Sequence, residues 1–154
     1  MNKLYLAFAL SILIALGVFG YMFSEWFFAR ESLRRLDVRV ERIMISGISP
    51  TSIDLEIYFT ITNKGDSDVS IDGISYEMFI GNRSIGSGNY SKSESIPPNS
   101  EITIRSLLRV GLKPLEQTLI DVILSGNLSS RILVHIYKDT PLGVVRIVRE
   151  VTYP

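Results

Sequence analysis

The chain has 154 residues, its 16 lysines and arginines are balanced by 16 aspartates and glutamates, and it contains no cysteine. This length fits one domain and a tail. The balanced charge gives no support for a nucleic-acid partner, which requires a basic face. The lack of cysteine excludes disulfides, thiolate catalysis and metal sites built on sulfur.

The first feature along the chain is an uncharged apolar run from Leu4 to Ser24. A helix of about twenty such residues is long enough to cross a hydrocarbon core of about 30 Å. Aromatic residues gather at its far end, as in an interfacial belt: Tyr21, Trp26, Phe27 and Phe28. A cleaved signal peptide is the alternative, but its apolar core would be only about 7–15 residues long and an Ala-x-Ala site would follow. The sequence therefore predicts a retained membrane span that contacts lipid through residues 4–24.

The next segment, Glu25–Leu36, continues the helical pattern. Four apolar residues fall on one helical face: Trp26, Ala29, Leu33 and Leu36. A coiled coil needs about three heptads or more and this segment is too short for that, so we expect a short stalk lying at the membrane interface. The chain is thus divided into an anchor with its stalk (1–36) and a domain (37–154).

Two sequence signals disagree about the side of the membrane on which the domain lies. Arginines after the span outnumber the lysine before it, which by the positive-inside rule places the domain in the cytoplasm. These arginines are Arg30, Arg34, Arg35 and Arg39. Asn-x-Ser sequons at Asn82, Asn89 and Asn127 are instead typical of exported domains. We favour an extracytoplasmic domain, with these asparagines as glycan acceptors and Arg30, Arg34 and Arg35 at the membrane interface.

Alternating strands begin the domain. Val38–Ile45 reads as a first strand, which Gly47 and Pro50 close. Ile53–Thr62 alternates strictly between apolar and polar residues, the mark of a strand with one buried face. It ends at Asn63–Asp66, whose Asn and Gly residues favour a turn.

The middle of the domain continues this pattern with more turns. The apolar run Val69–Ile80 changes parity across Asp72-Gly73, which predicts a bulge. Ile85–Gly88 reads as a kinked or edge strand because of its glycines. Ile96–Ser100 forms a proline-containing turn before the alternating strand Ile102–Val110.

The last third adds one helix and two strands. Lys113–Glu116 starts a helix that Gly126 ends, because Pro suits the first turn and Gly the end. Its apolar face consists of Leu115, Leu119, Val122 and Ile123. Arg131–Tyr137 and Val144–Val151 then alternate well enough for two closing strands.

Several of these elements form an ordered set. They are Asn63, Val69-Ser70-Ile71, Ile74-Ser75-Tyr76, Gly81, Ile85-Gly86-Ser87-Gly88, Ile96-Pro97-Pro98-Asn99-Ser100 and Pro141–Gly143. This set resembles the late embryogenesis abundant group 2 family, also called the water stress and hypersensitive response domain, over roughly Val38–Val151. Family members often carry Asn-Pro-Asn where this chain has Asn63-Lys64-Gly65, a change that keeps the turn. The resemblance implies an immunoglobulin/fibronectin-III-like antiparallel β-sandwich with one short helix, preceded here by a single N-terminal transmembrane helix, and no established catalytic site.

Residue types that could carry chemistry lack partners. His135 is the only histidine and lies in an apolar strand, so we interpret it as structural or surface-exposed. Asp54 and Glu56 project from the polar face of their strand, and we interpret them as a solvated face rather than an acid/base pair.

One acidic cluster has the spacing of calcium ligands. Asp66, Asp68 and Glu77 match ligand positions of an EF-hand loop, but the glycine that the loop requires is replaced by Ile71. We therefore interpret Asp66–Asp68 as a polar turn.

These observations predict a membrane-anchored, non-enzymatic binding or structural module without a catalytic, cofactor or metal site. The resemblance adds a role in protection against stress such as desiccation. One alternative is a single-span accessory subunit of a larger membrane complex. A pilin-like surface-filament subunit is less favoured because no basic-Gly processing site precedes the apolar run, and a hydrolase is least favoured because no Gly-x-Ser-x-Gly elbow occurs. Besides membrane lipid we expect a protein partner, and no nucleic acid.

Overall fold

The computed structural model describes residues 2–154, which form mainly antiparallel β-strands with two helices. A long apolar N-terminal helix comes first, and a short second helix lies between two of the strands. In chain order the elements are α1 (Lys3–Arg34), β1 (Leu36–Ile48), β2 (Ser52–Asn63), β3 (Val69–Ile71), β4 (Gly73–Ile80), β5 (Arg83–Tyr90), β6 (Glu94–Ile96), β7 (Glu101–Gly111), α2 (Gln117–Leu124), β8 (Ser130–Thr140) and β9 (Gly143–Tyr153).

Within residues 2–154 the strands form two large sheets and one small one. The large sheets have the orders β1-β2-β7 and β5-β4-β8-β9, and β3 pairs with β6. Strand β2 is the central strand of its sheet, and its apolar positions from Ile53 to Ile61 are fully buried. The register predicted for this strand is therefore confirmed.

The two large sheets face each other across one apolar core. The rings of Phe59 on β2 and Tyr76 on β4 have centroids 4.8 Å apart. Burying a large aliphatic side chain contributes roughly 1.5–3 kcal/mol, so this layer is a major source of stability. Further buried members of the core include Leu55, Ile57, Leu108, Ile132, Val134 and Ile136.

The run Val69–Ile80 is two strands rather than one bulged strand. Strand β3 belongs to the small sheet, whereas β4 pairs with β5 and β8. The bulge predicted at Asp72-Gly73 was wrong because the chain passes there from one sheet to another. The backbone N–H of Asp72 donates to the Tyr137 carbonyl at 2.9 Å. Its carboxylate accepts hydrogen bonds from the Ser93 hydroxyl and the Asp139 backbone N–H, which fixes the crossing.

The remaining elements follow the sequence with shifted ends. Strand β1 is continuous through two register shifts, between Val40 and Arg42 and between Ile45 and Gly47. Strand β5 lies at the edge of its sheet, as its glycines predicted. Helix α2 begins at Gln117, later than predicted, and contacts the core through Leu119 and Ile123, whereas Leu115 reaches the core from the segment before the helix.

Candidate functional site: the helix–domain junction

Helix α1 changes its surroundings along its length. Residues 2–21 are all exposed although they are predominantly apolar. None of the apolar stretch of this helix is buried by the rest of the described chain. By length and composition the helix could therefore be a membrane span or a signal anchor.

The last turns of α1 pack onto the β-domain. Ala29 and Leu33 are buried, and Trp26 is half-buried against the same core. Met22 is the first residue along the helix to lose part of its exposure. The apolar face predicted in Glu25–Leu36 is therefore confirmed. This face packs into the domain core, and the position of the segment at a membrane interface stays a prediction.

Polar contacts fix the end of α1. The Arg149 guanidinium on β9 donates to the backbone carbonyls of Arg34 at 3.1 Å and Leu36 at 3.3 Å. Carbonyls at a helix C-terminus lack intrahelical partners, and a cation there also complements the helix dipole. Arg35 adds an ion pair with Asp66 at 3.3 Å. The helix is thus joined to the domain by packing and by directed hydrogen bonds.

The residues predicted at the membrane interface occupy different environments. Three of them stay exposed on α1: Tyr21, Phe27 and Phe28. One side of the Trp26 ring packs on the domain, and the Arg30 guanidinium lies 5.5 Å from the centroid of that ring. Arg34 pairs with Glu31 at 3.2 Å. The structure therefore divides this set into exposed aromatic residues and charges that are already partnered.

A shallow groove runs beside the junction. Helix α1 lines one side with Glu25, Phe28 and Ser32. The other side consists of Asp68–Ser70 and Lys138, whose ammonium group donates to the Ser70 hydroxyl. The end of β8 therefore lies alongside the helix turns that directly follow the apolar run.

Asn63 fixes the turn that follows β2 and is fully buried. Its side-chain amide donates to the carbonyls of Ser67 at 2.8 Å and Ile96 at 2.9 Å, and its oxygen accepts from the Gly65 N–H at 2.9 Å. An amide supplies both the donors and the acceptor that this position requires. Asn63 thus ties β2, its turn and β6 together.

Ion pairs cover the outer face of the β1-β2-β7 sheet. Arg109 donates to the Asp54 carboxylate at 2.8 Å and 3.2 Å, and this hydrogen bonding lowers the pKa of Asp54. Glu56 pairs with Arg105 and accepts a hydrogen bond from the Tyr58 hydroxyl at 3.0 Å. Glu56 is buried, which corrects the prediction of a solvated face, because these neighbours cover its carboxylate.

His135 lies on the outer face of the other large sheet. Its strand neighbours in register are Ser75 on β4 and Val148 on β9. Its Nδ1 atom is buried without a hydrogen-bond partner. This arrangement lacks the oriented partner that a general base or a metal ligand uses.

The acidic residues with calcium-loop spacing have other contacts. Asp66 pairs with Arg35, and Glu77 accepts a hydrogen bond from the Ser84 hydroxyl at 2.7 Å. Among residues 2–154 no group of three or more His, Cys, Asp or Glu side chains is placed to hold a metal ion.

The three sequon asparagines are exposed. Asn82 lies in the turn between β4 and β5, Asn89 lies on β5, and Asn127 follows α2. The Asn89 amide donates to the Ser91 hydroxyl at 2.7 Å. Their exposure meets the steric requirement for a glycan acceptor, and their modification stays a prediction.

Sequence reasoning missed Lys138 and Arg149. Lys138 continues the inward-facing series of β8, and Arg149 continues that of β9 after Val145 and Ile147. The available signal was a charged residue at a position of the alternating pattern whose other members face the core. Such a charged group requires a partner when that face of the strand is covered.

The chain is similar in structure to several solved proteins. One is a protein of Arabidopsis thaliana, with 16% identity and a TM-score of 0.48 over 75% of this chain and 80% of that one. Another, described as a late embryogenesis abundant protein, has 18% identity and a TM-score of 0.43 over 94% and 88% of the two chains. A β-glucuronidase of glycoside hydrolase family 2 has 12% identity and a TM-score of 0.45 over 73% of this chain and 12% of that one.

Sequence comparison identifies the family of the chain. No curated protein sequence matches the chain significantly. The sequence profile of the late embryogenesis abundant proteins matches residues 58–150. This range runs from the middle of β2 into β9 and includes strands of both large sheets. The chain therefore belongs to the late embryogenesis abundant protein family.

Proposed function

We propose that this chain is a membrane-anchored, non-enzymatic binding or structural module of the group 2, or water stress and hypersensitive response, type. Its domain (37–154) is then an immunoglobulin/fibronectin-III-like sandwich, and its span lies within residues 1–36. The observation that carries the proposal is α1, which is apolar and exposed over residues 2–21 and packs into the domain core at Ala29 and Leu33. An apolar helix surface of this length requires lipid or protein to cover it. Family membership is consistent with a stress-related role.

The non-enzymatic part of the proposal is supported by the surroundings of the polar side chains, namely their ion pairs, hydrogen bonds and burial. Arg109 lowers the pKa of Asp54, whereas a general acid needs a raised one. Glu56 is paired with Arg105, and the buried nitrogen of His135 contacts no donor or acceptor. Such side chains stabilise a sheet surface and offer no arranged acid, base or nucleophile.

Alkaline carbonate extraction of native membranes tests the anchor. We expect the full chain to stay with the integral membrane proteins, because about twenty apolar residues leave lipid only at a large free-energy cost. A soluble domain with a new N-terminus near residues 20–30 would instead show a cleaved signal peptide.

A second candidate is a single-span accessory subunit of a larger membrane complex. Leu107 is 61% exposed and Met44 is 38% exposed, and both flank Glu56 on the otherwise charged outer face of the β1-β2-β7 sheet. Exposed apolar side chains grouped on a face are typical of protein contacts. A stoichiometric partner should then co-purify in mild detergent and be lost with Leu107→Lys. The control Val148→Lys, on the other sheet, should retain it.

A further inference from the structure

We propose that the β8–β9 hairpin contacts the same membrane that α1 enters, with its turn Pro141–Val144 in the lipid headgroup region. This inference rests on the proposed membrane anchor. It gives the domain a second contact with the bilayer, separate from the span. The domain then lies directly on the lipid surface.

Two contacts align β9 with α1. Arg149 on β9 donates to the Arg34 carbonyl, and Lys138, the register partner of Val145, lines the groove whose helix side extends from Ser32 to Glu25. A strand rises about 3.3 Å per residue and a helix about 1.5 Å. The strand from Arg149 back to Val145 therefore covers roughly 13 Å, and the helix from Arg34 back to Glu25 roughly 14 Å. The hairpin therefore leaves the end of α1 in the direction of the apolar run.

The same rises locate the hairpin turn. From Arg149 to Leu142 the strand covers roughly 23 Å, while from Arg34 to Ser24, the end of the apolar run, the helix covers roughly 15 Å. The turn thus extends about 8 Å beyond the end of the apolar run, and a crossing angle of about 45° would leave it level with that end. Trp26, two residues after the end of the apolar run, is the first residue of α1 that packs against the domain core, so the domain contact starts close to that end.

The chemistry of the turn suits an interface. Leu142 is 39% exposed and Val144 is 53% exposed. The turn carries no charge from Thr140 to Val145. The Thr140 hydroxyl donates to the Gly143 carbonyl at 2.7 Å, which reduces the number of backbone groups that need water. Exposed apolar side chains at this depth gain from burial among lipid headgroups and acyl chains.

Site-specific labelling tests the inference, because the chain has no cysteine of its own. Leu142→Cys is labelled with an environment-sensitive fluorophore, and the full chain is reconstituted into vesicles of phosphatidylcholine and phosphatidylglycerol. Lipids that carry a nitroxide close to the headgroup serve as quenchers for residues 142 and 82, and lipids that carry it deep in the acyl chain serve for residue 11. Asn82→Cys, in the turn at the opposite end of the sheet, is the matched control, and Ser11→Cys reports on the span.

We expect a several-fold larger loss of emission at residue 142 than at residue 82, together with strong quenching at residue 11. Strong quenching at residue 11 with equally weak quenching at residues 142 and 82 would overturn the hairpin contact and leave the anchor intact. Weak quenching at all three positions would overturn both. Leu142 is exposed, so its replacement should not disturb the core, and Val144→Cys should reproduce the result.

Discussion

The hydroxyl groups of Tyr76 on β4 and Ser106 on β7 lie 2.8 Å apart, and both side chains are buried between the two large sheets. They form a polar link across an otherwise apolar layer. Ser106→Ala should destabilise the protein by about 1–3 kcal/mol, because it leaves the phenol hydroxyl buried without a partner. Urea unfolding of the full chain in mild detergent measures this change. The double variant with Tyr76→Phe should recover part of the loss, and purely additive losses would contradict the link.

Tyr76 should also affect stability at alkaline pH. Burial raises the pKa of Tyr76, and the hydrogen bond between Tyr76 and Ser106 offsets this only in part. The unfolded chain therefore loses this proton first, near pH 10, so stability falls as the pH rises above about 10 toward the higher pKa of the folded protein. Tyr76→Phe should flatten this alkaline decline in unfolding midpoints. A decline that is unchanged in the variant would assign it to other groups.

The register of β2 can be tested by two substitutions, one on each face of the strand. Ile57→Asp should unfold the domain, because a buried unpaired carboxylate costs several kcal/mol against a total stability of about 5–15 kcal/mol. Asp54→Asn removes only an exposed ion pair with Arg109 and should change the unfolding midpoint little. Equal losses at the two sites in thermal unfolding would refute the assignment of the two faces.

The parts of this fold that could be predicted are those whose pattern of apolar and polar residues lies within a single strand. Strand β2 alternates because one face is buried, so Ile53–Thr62 specified its own register. The parity change at Asp72 has two explanations, a bulge or a change of sheet, and only pairing with the distant β6 and β8 distinguishes them. The docking of α1 was equally hidden, because its partner Arg149 is 115 residues from Arg34.

Asn63 should be one of the most sensitive polar positions. Asn63→Ala should cost about 2–4 kcal/mol, because the carbonyls of Ser67 and Ile96 lose a shared buried donor. Asn63→Asp should be at least as harmful, since a carboxylate cannot donate to those carbonyls. The exposed Asn127→Ala serves as the control in urea unfolding and should be nearly silent. A neutral Asn63→Ala would show that water replaces the amide.

The side of the membrane can be decided by protease treatment of intact cells. We expect the domain to be digested from outside, with Asn82, Asn89 and Asn127 available for glycans. The arginines after the span argue for the cytoplasm, where each would contribute about 1 kcal/mol against anionic headgroups. However, Arg34 and Arg35 are paired with Glu31 and Asp66, which weakens that argument. Protection of the domain in sealed, right-side-out cells would reverse the assignment.

The bond from Arg149 to the end of α1 has a mechanical consequence. A flexible connection would let the domain rotate freely relative to α1, whereas this junction makes α1 and the domain move together as one rigid unit. Where α1 crosses a bilayer, a change of membrane thickness alters the tilt of the helix. The domain then turns through the same angle, and the sheet faces that it presents to its surroundings change with it. In a protein built in this way, a change of bilayer thickness would become a change in the orientation of the two large sheets.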